Sequence, residues 1–185
     1  MTTITLKNVR LSFPQIWTPK AYVEGQTAKY SANLLLDKDG DKPQIDQLKK
    51  AIKQAATVGF NGEIPKGLKT FLGDGNEKAY DGYENAMFVS CSSRQRPTTI
   101  DRDRVTLVEE DAKLYAGCYV NAAISLWVQN NTWGKRVNCN LLALQFVKDG
   151  ETFGAGGVKV DEMFDDISSE QAADAADDDL SLIHI

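Results

Sequence analysis

Alternation of apolar and polar positions predicts β-strands along most of this chain. Between Thr3 and Phe13 the apolar positions change parity after Leu6. A slip of one residue indicates a β-bulge, and a bulged first strand is typical of small closed barrels. Pro14 and Pro19 are expected to end this strand, and a second strand follows from Ala28 to Leu36.

The pattern then changes to a helical period. Apolar residues recur at Ile45, Leu48, Ile52 and Ala55 while lysines occupy the opposite side, which predicts one amphipathic helix from Pro43 to Val58. The segment from Gly59 to Gly82 is rich in glycine and is expected to form a long irregular loop.

The second half returns to strand patterns. Ala86 to Ser93 reads as a strand, and Pro97 to Val108 as an extended segment that carries arginines. Gly117 to Asn130 and Lys135 to Val147 form a predicted long hairpin. The prediction is therefore a mainly β domain of about five strands with one helix after the second strand.

The strand from Gly117 to Asn130 has two contrasting faces. One is a continuous apolar face, made of Cys118, Val120, Ala122, Ile124, Leu126 and Val128. The other carries Tyr119 and Trp127 among small and polar residues, which is typical of a platform for stacking nucleic-acid bases, each stack contributing roughly 1–3 kcal/mol. Alternatively, the helix or a second copy of the chain covers this face.

Aromatic residues and cations recur together at several other positions. Trp133 is followed by Lys135 and Arg136 at the hairpin turn, where the tryptophan either stacks on bases or packs on its own hairpin. Four arginines fall within eleven residues, although Asp101 and Asp103 offer local partners. The remaining candidates for bases and phosphates are Trp17, Lys20, Tyr22, Lys29, Arg94, Arg96, Arg102 and Arg104. Tyr80 and Tyr83 near Lys78 repeat the combination more weakly.

Charge divides the chain into two parts. The segment 161–185 holds nine acidic residues and no Lys or Arg, so the overall formal charge of −5 conceals a body of +4. A basic body suits a polyanionic partner, for which an acidic tail would compete. We expect domains 1–160 and 161–185, with the tail disordered.

The residues provide little support for a metal site, a cofactor site or an enzymatic activity. The three cysteines form no CxxC pair and the only histidine is His184, so we expect reduced core cysteines, no metal and no cofactor. Asp74, Asp81 and Glu84 could be imagined as a nuclease site, but acids in glycine-rich loops are usually solvated turn residues, and no catalytic motif is present. No secretory signal or membrane span is visible, which predicts a cytoplasmic protein.

Several stretches resemble the single-stranded-DNA-binding proteins of tailed bacteriophages, of the OB-fold and acidic-tail type. They are Val9-Arg-Leu-Ser-Phe-Pro14, Lys29-Tyr-Ser-Ala-Asn-Leu-Leu-Leu36, Arg96-Pro97, Ala116-Gly-Cys-Tyr-Val-Asn-Ala122 and Val147-Lys-Asp-Gly-Glu-Thr-Phe-Gly154. The order of parts is that of podophage replication proteins, which coat single strands and recruit the replicative polymerase.

The resemblance implies an OB barrel, sequence-tolerant binding of single-stranded DNA in replication or recombination, and no enzymatic activity or cofactor. It also implies a tail that recruits replication proteins such as DNA polymerase; its candidate contacts are Asp174, Asp177, Asp178, Asp179, Leu182 and Ile183. In podophage relatives the tail ends in an aromatic residue. Here either Leu182 and Ile183 take that role, or the last residues are foreign to the gene. A homodimer or an assembly along DNA stays open, and the alternative function is a phage scaffolding protein that self-associates through the aromatic face.

Overall fold

The computed structural model describes residues 2–153 together with residues 167 and 168. Their regular elements are β1 (Thr2–Lys20), β2 (Lys29–Asp37), α1 (Lys42–Gly59), β3 (Lys69–Thr70), β4 (Leu72–Asp74), β5 (Ala86–Ser93), β6 (Thr98–Ile100), β7 (Tyr119–Asn131) and β8 (Gly134–Lys148). Two short 3-10 helices lie at Gly75–Glu77 and Glu109–Asp111. In this part of the chain, no helix has the length and apolar character needed to cross a membrane.

Five of the strands close into a barrel. β1 lies antiparallel between β7 and β2, β2 pairs with β5, and β7 pairs with β8. A parallel pairing of Ser92 in β5 with Asn140 in β8 closes the ring. The short strands β3 and β6 pair with β8, and β4 pairs with β5. The predicted mainly β fold, a five-stranded barrel with one helix after the second strand, is confirmed.

The barrel interior is filled by alternate side chains of its strands. The predicted apolar face of β7 is confirmed: its residues from Cys118 to Leu126 are buried, and Val128 is half-buried. α1 adds Ile45, Leu48 and Ala56 to this core. The C-terminal end of the helix packs closely against β7, since a Cβ on Gly59 would lie 2.7 Å from the Val128 side chain. Burial of this apolar surface is the main stabilising contribution to the barrel.

The first strand contains the predicted bulge but does not end where we expected. A register shift between Leu6 and Val9 against β7 confirms the parity change. The prediction that Pro14 and Pro19 end the strand is wrong, since β1 continues to Lys20. Two further register shifts against β2 fall at these prolines. Proline is tolerated there because a bulge leaves a residue without a ladder hydrogen bond.

Elsewhere the predicted bounds differ by small amounts, with two corrections. α1 is one residue longer at each end than predicted, and β5 has the predicted bounds. The segment from Gly59 to Gly82 is not irregular throughout, since it contains β3, β4 and a 3-10 helix. The extended segment from Pro97 to Val108 shortens to β6 and a turn. Strands of two or three residues are too short to show a periodicity.

The cysteines are buried, as predicted, and carry no disulfide bond. Burial raises the pKa of the Cys118 thiol. The pKa of Cys139 also lies well above its usual range, because its thiol is hydrogen-bonded to Cys91 and buried. Cys118 and Cys139 therefore stay neutral, and all three cysteines pack as apolar core residues.

Candidate nucleic-acid interface

Small polar side chains form a floor on the outer surface of β2 and β5. Ser31 lies opposite Ser92, and Asn33 lies opposite Ser90. The floor faces outward because the intervening residues, such as Ala32, point into the core. The hydroxyl of Ser90 donates a hydrogen bond of 3.1 Å to Asn33 Oδ1, which fixes the amide. A floor of such short side chains leaves room for a flat base.

The hairpin of β7 and β8 forms a wall beside this floor. Trp127 lies opposite Asn138, and the ring of Trp133 stands at the hairpin turn. Trp127 is 37% exposed and Trp133 is 87% exposed. The backbone N–H of Trp133 donates to Asn131 Oδ1 at 2.9 Å, which stabilises the turn. Tryptophans exposed beside a polar floor can accept stacked bases.

Floor and wall enclose a groove of about 610 Å³. Its lining includes Trp127, Trp133, Gln129, Arg136, Asn138, Lys29, Gln26 and the floor residues. A second depression continues from it, because Gln26, Lys29, Ser31 and Ser92 line both. This continuation adds Lys20, Tyr22 and Arg94. Together they form one groove, with both tryptophans and Arg136 at one end and Lys20, Tyr22 and Arg94 at the other.

The cations at the far end lie close to one another. Lys20 of β1 pairs in register with Lys29 of β2. The Lys20 ammonium lies 5.2 Å from the centre of the Tyr22 ring. Like charges held together are stabilised by an anion, so this end of the groove suits phosphate.

Two predicted pairs of neighbours are separated by the structure. Arg94 lines the groove, whereas the Arg96 guanidinium lies 4.8 Å from the centre of the Trp17 ring, which packs against the core. Arg136 lines the groove, but its neighbour Lys135 is exposed outside the groove lining. Lys135 and Arg136 are successive residues of β8, which point to opposite sides of the strand. Arg94 and Arg96 lie after the end of β5, where strand alternation no longer applies.

Arg102 and Arg104 belong to a turn after β6, away from the groove. The Arg102 guanidinium donates a hydrogen bond of 2.7 Å to the carbonyl oxygen of Val147. Arg104 closes the turn, with its backbone N–H donating to Asp101 and a positive φ of 69°. The Asp101 carboxylate pairs with Lys113, whose hydrogen bond lowers the pKa of that carboxyl. The turn has a structural explanation that requires no ligand.

Tyr119 lies at the opposite end of β7 from Trp127. Tyr119 pairs with Lys148 of β8. Eight residues separate Tyr119 from Trp127 along β7, which corresponds to about 26 Å. Tyr119 lines a separate depression of about 470 Å³ with Arg10, Lys148 and the acidic Asp37 and Glu84. The two aromatic residues share a strand face, but the structure does not bring them into one site.

Comparison with known proteins identifies the family. The family model described as "Enterobacter phage Enc34, ssDNA-binding protein" matches residues 2–179. The chain belongs to this family. It is 39% identical over 175 residues to the protein p50 of Acyrthosiphon pisum secondary endosymbiont phage 1, covering 89% of this chain and 94% of that protein.

Solved structures of the Enc34 family member have the same fold. The single-stranded DNA-binding protein from bacteriophage Enc34 in complex with ssDNA matches with a TM-score of 0.75 and 30% identity, covering 82% of this chain and 89% of that one. A second structure of the Enc34 protein matches with a TM-score of 0.73 and 29% identity, covering 88% of this chain and 90% of that one. Gp2.5 of bacteriophage T7 matches with a TM-score of 0.59 and 15% identity, over 90% and 97%, which shows a shared fold alone.

The candidate residues chosen from the sequence did not include most of the polar side chains that line the groove. The available signal was the outward parity of Ser31 and Asn33 beside Lys29 in the second strand. The imagined nuclease residue Asp74 instead caps a 3-10 helix and pairs with Lys38 at 2.6 Å. Hydrogen bonds from Lys38 and the Asn76 N–H lower the pKa of Asp74. The predicted tail contacts, Asp174 to Ile183, lie outside the described residues.

Proposed function

We propose that this chain binds single-stranded DNA, with little sequence preference, in the groove between the β2–β5 floor and the β7–β8 hairpin. The observation that carries this proposal is the pair of exposed tryptophans, Trp127 and Trp133, beside a floor of small polar side chains. Bases stack on the rings, and the cations of the groove meet phosphates. Every base has a π-face and every nucleotide a phosphate, so sequence matters little.

The comparisons support this function. The Enc34 protein, 30% identical to this chain, is described in complex with ssDNA. Its family is named for single-stranded-DNA binding and not for a catalytic activity. This agrees with a role for the groove in binding rather than in catalysis.

Salt dependence tests the electrostatic part of the proposal. Four cations line the groove: Lys20, Lys29, Arg94 and Arg136. If each neutralises one phosphate, the logarithm of the affinity for a dT oligomer falls against the logarithm of salt concentration with a slope of about −3. Titrations followed by tryptophan fluorescence measure this slope. An affinity that stays flat between low and high salt would contradict the proposed phosphate contacts.

The acidic segment 161–185 adds a regulatory proposal. Its nine acidic residues compete with DNA for the basic body, 1–160, and recruit replication proteins such as DNA polymerase when DNA binds. This would operate in phage DNA replication or recombination, in the cytoplasm of the infected bacterial cell. Deleting Asp161 to Ile185 is expected to tighten DNA binding, with a gain that shrinks at high salt. Equal affinities at low salt would contradict competition.

The alternative function is a scaffolding protein that self-associates through the aromatic face. Assembly of several copies along DNA is a different case, since it is compatible with DNA binding. Tryptophan emission separates them, since stacked bases quench Trp127 or Trp133. A purely scaffolding interface leaves the emission unchanged when oligonucleotide is added. Sedimentation in the absence of DNA reports whether a homodimer forms.

A further inference from the structure

We infer that Phe13 and Tyr80 form a further base-stacking site, which extends the proposed groove across the outer face of β1. The ligand is an unpaired nucleobase of a DNA strand already held in the groove. The inference rests on the proposed function. From the sequence, Tyr80 was only a weak repeat of the aromatic-plus-cation combination, and Phe13 was not a candidate contact. Four observations carry it: a connection to the groove floor, an exposed aromatic pair, a strained backbone and a nearby cation.

Tyr83 connects the groove floor to this pair. Asn33 Nδ2, on the floor, donates a hydrogen bond of 2.9 Å to the Tyr83 hydroxyl. Ser12 Oγ lies 2.9 Å from the same hydroxyl, and the Tyr83 side chain is buried, with 1% exposure. Ser12 in turn lies opposite Asn33 in the β1–β2 pairing. A chain of hydrogen bonds therefore runs from Ser90 through Asn33 on the floor to the buried Tyr83.

Two exposed rings stand beside Tyr83. Tyr80 contacts Tyr83 edge to face, with ring centres 5.3 Å apart, and Phe13 contacts Tyr80 in the same manner at 5.0 Å. Phe13 is 52% exposed and Tyr80 is 47% exposed. Edge-to-face contact is a preferred arrangement of aromatic rings and stabilises this pair. A large exposed aromatic surface, fixed in place beside a groove, is typical of a binding site.

The backbone of Phe13 is unfavourable for such a residue. Its φ of 46° lies in the left-handed region, within the register shift of β1 between Ser12 and Gln15. A bulky side chain is a poor choice there, since glycine or asparagine adopts this conformation at lower cost. The bulge moves Phe13 out of the alternation between the core residues Leu11 and Ile16. Strain that presents an aromatic ring to solvent points to function.

A cation accompanies the pair, as it does elsewhere in the groove. Phe88 lies two residues before Ser90 on the outward face of β5, and the Lys78 ammonium lies 5.8 Å from the centre of the Phe88 ring. Phe88 also contacts Tyr83, with ring centres 5.7 Å apart. The phosphate of a nucleotide whose base stacks on Phe13 and Tyr80 would thus have the Lys78 ammonium nearby. A base in a duplex is stacked and paired, so this surface selects single strands.

The test compares the full chain and its variants on two probes of equal length, a dT oligomer of about 16 nucleotides and its abasic counterpart. Phe13→Gly and Tyr80→Leu are each expected to weaken dT binding by about 5- to 10-fold. Affinity for the abasic strand should stay unchanged in both, because it offers no base to stack. Tyr80→Phe retains the ring and should bind dT like the original chain.

Two controls separate binding from folding. Val105→Ala removes a side chain that is 60% exposed in the turn after β6, and should change neither affinity. Phe13→Gly also relieves the positive φ, so its melting temperature should stay near that of the original chain. The loss of dT affinity would then arise in the folded protein.

The outcomes distinguish this inference from the proposed function. Unchanged dT affinity in both Phe13→Gly and Tyr80→Leu overturns the inference, while tight binding by the original chain leaves the groove intact. An equal loss for dT and abasic strands also overturns it, since that would be a backbone or folding effect. If the original chain itself binds neither strand, the proposed function fails and the inference fails with it.

Discussion

The two ends of β7 both combine an aromatic ring with cations, yet the surroundings of the two rings differ. At one end, Trp127 is 37% exposed beside Asn138 and the polar floor. At the other end, the Lys148 ammonium and the Arg10 guanidinium lie 4.6 Å and 5.5 Å from the centre of the Tyr119 ring. The Trp127 ring is open to solvent, whereas the Tyr119 ring already has two cations in place.

Arg10 shows why the Tyr119 end serves the fold. Its guanidinium donates hydrogen bonds to the carbonyl oxygens of Gly117 at 3.2 Å and Glu151 at 2.6 Å, and lies 4.1 Å from the centre of the Phe153 ring. It thereby ties β1 to the segments before β7 and after β8. These segments pass so closely that a Cβ on Gly117 would lie 2.1 Å from the Glu151 oxygen. Aromatic residues with nearby cations therefore indicate a ligand site only where the ring remains open.

Removing both exposed tryptophans should have the largest effect on binding. We expect Trp127→Ala with Trp133→Ala to weaken affinity for a dT oligomer by about 2 to 6 kcal/mol, because each stack contributes roughly 1–3 kcal/mol. Fluorescence anisotropy of a labelled oligomer measures it. Tyr119→Leu is the matched control at the other end of β7 and should leave affinity within about 2-fold. A larger loss for Tyr119→Leu than for the tryptophans would reverse the comparison.

Removing the Arg10 clamp should have the largest effect on stability at the Tyr119 end. Arg10→Met loses two charge-assisted hydrogen bonds and the contacts with two rings, and we expect a loss of about 2 to 3 kcal/mol in the free energy of unfolding. Urea denaturation measures this change. Arg136→Met, at the groove end, should change stability by less than about 0.5 kcal/mol, as at most exposed positions. Equal stabilities of the two variants would contradict a structural role for Arg10.

Replacing an arginine of the groove and an arginine of the turn after β6 should have different effects on the salt dependence of DNA affinity. Arg136→Met should reduce the magnitude of the slope for single strands by about 0.7, since one phosphate contact is lost. Arg102→Met should leave the slope unchanged, because Arg102 donates to the Val147 carbonyl instead. Titrations at several salt concentrations measure both slopes. A reduced slope for Arg102→Met would place the turn on the DNA path.

The smallest expected effect is a pH dependence at that turn. The hydrogen bond from Lys113 lowers the pKa of Asp101 in the folded protein. Its contribution to stability is complete above the unfolded carboxyl pKa of about 3.9 and is lost as pH falls through the lowered folded pKa. Lys113→Met should flatten this part of the stability curve between neutral and acidic pH. Urea unfolding of both proteins at neutral and at acidic pH measures this difference. If the variant loses as much stability at acidic pH as the original chain, the Asp101–Lys113 pair is not the cause of the pH dependence.

Much of the fold could be predicted because its elements are long. The helix was placed within one residue at each end, and β5 at its observed bounds. β3 and β4 were missed and β6 was predicted only as part of a longer extended segment, since two or three residues carry no measurable period. In the groove, alternation allowed the prediction that Lys29 and Trp127 face outward. Alternation also puts Lys135 and Arg136 on opposite sides of β8 but does not say which side forms the groove. It did not reveal that Phe13 leaves the alternation with a positive φ.

By itself, the sequence determined which residues are core and which face solvent, because alternation and helical period depend on near neighbours along the chain. Only the tertiary structure decided which outward residues meet. Closure of the barrel at Ser92 and Asn140 sets the groove floor beside the hairpin that carries Trp127. Asn33 meets Tyr83 across 50 residues of sequence. Such pairings depend on strand order and register, which no local pattern of residues specifies.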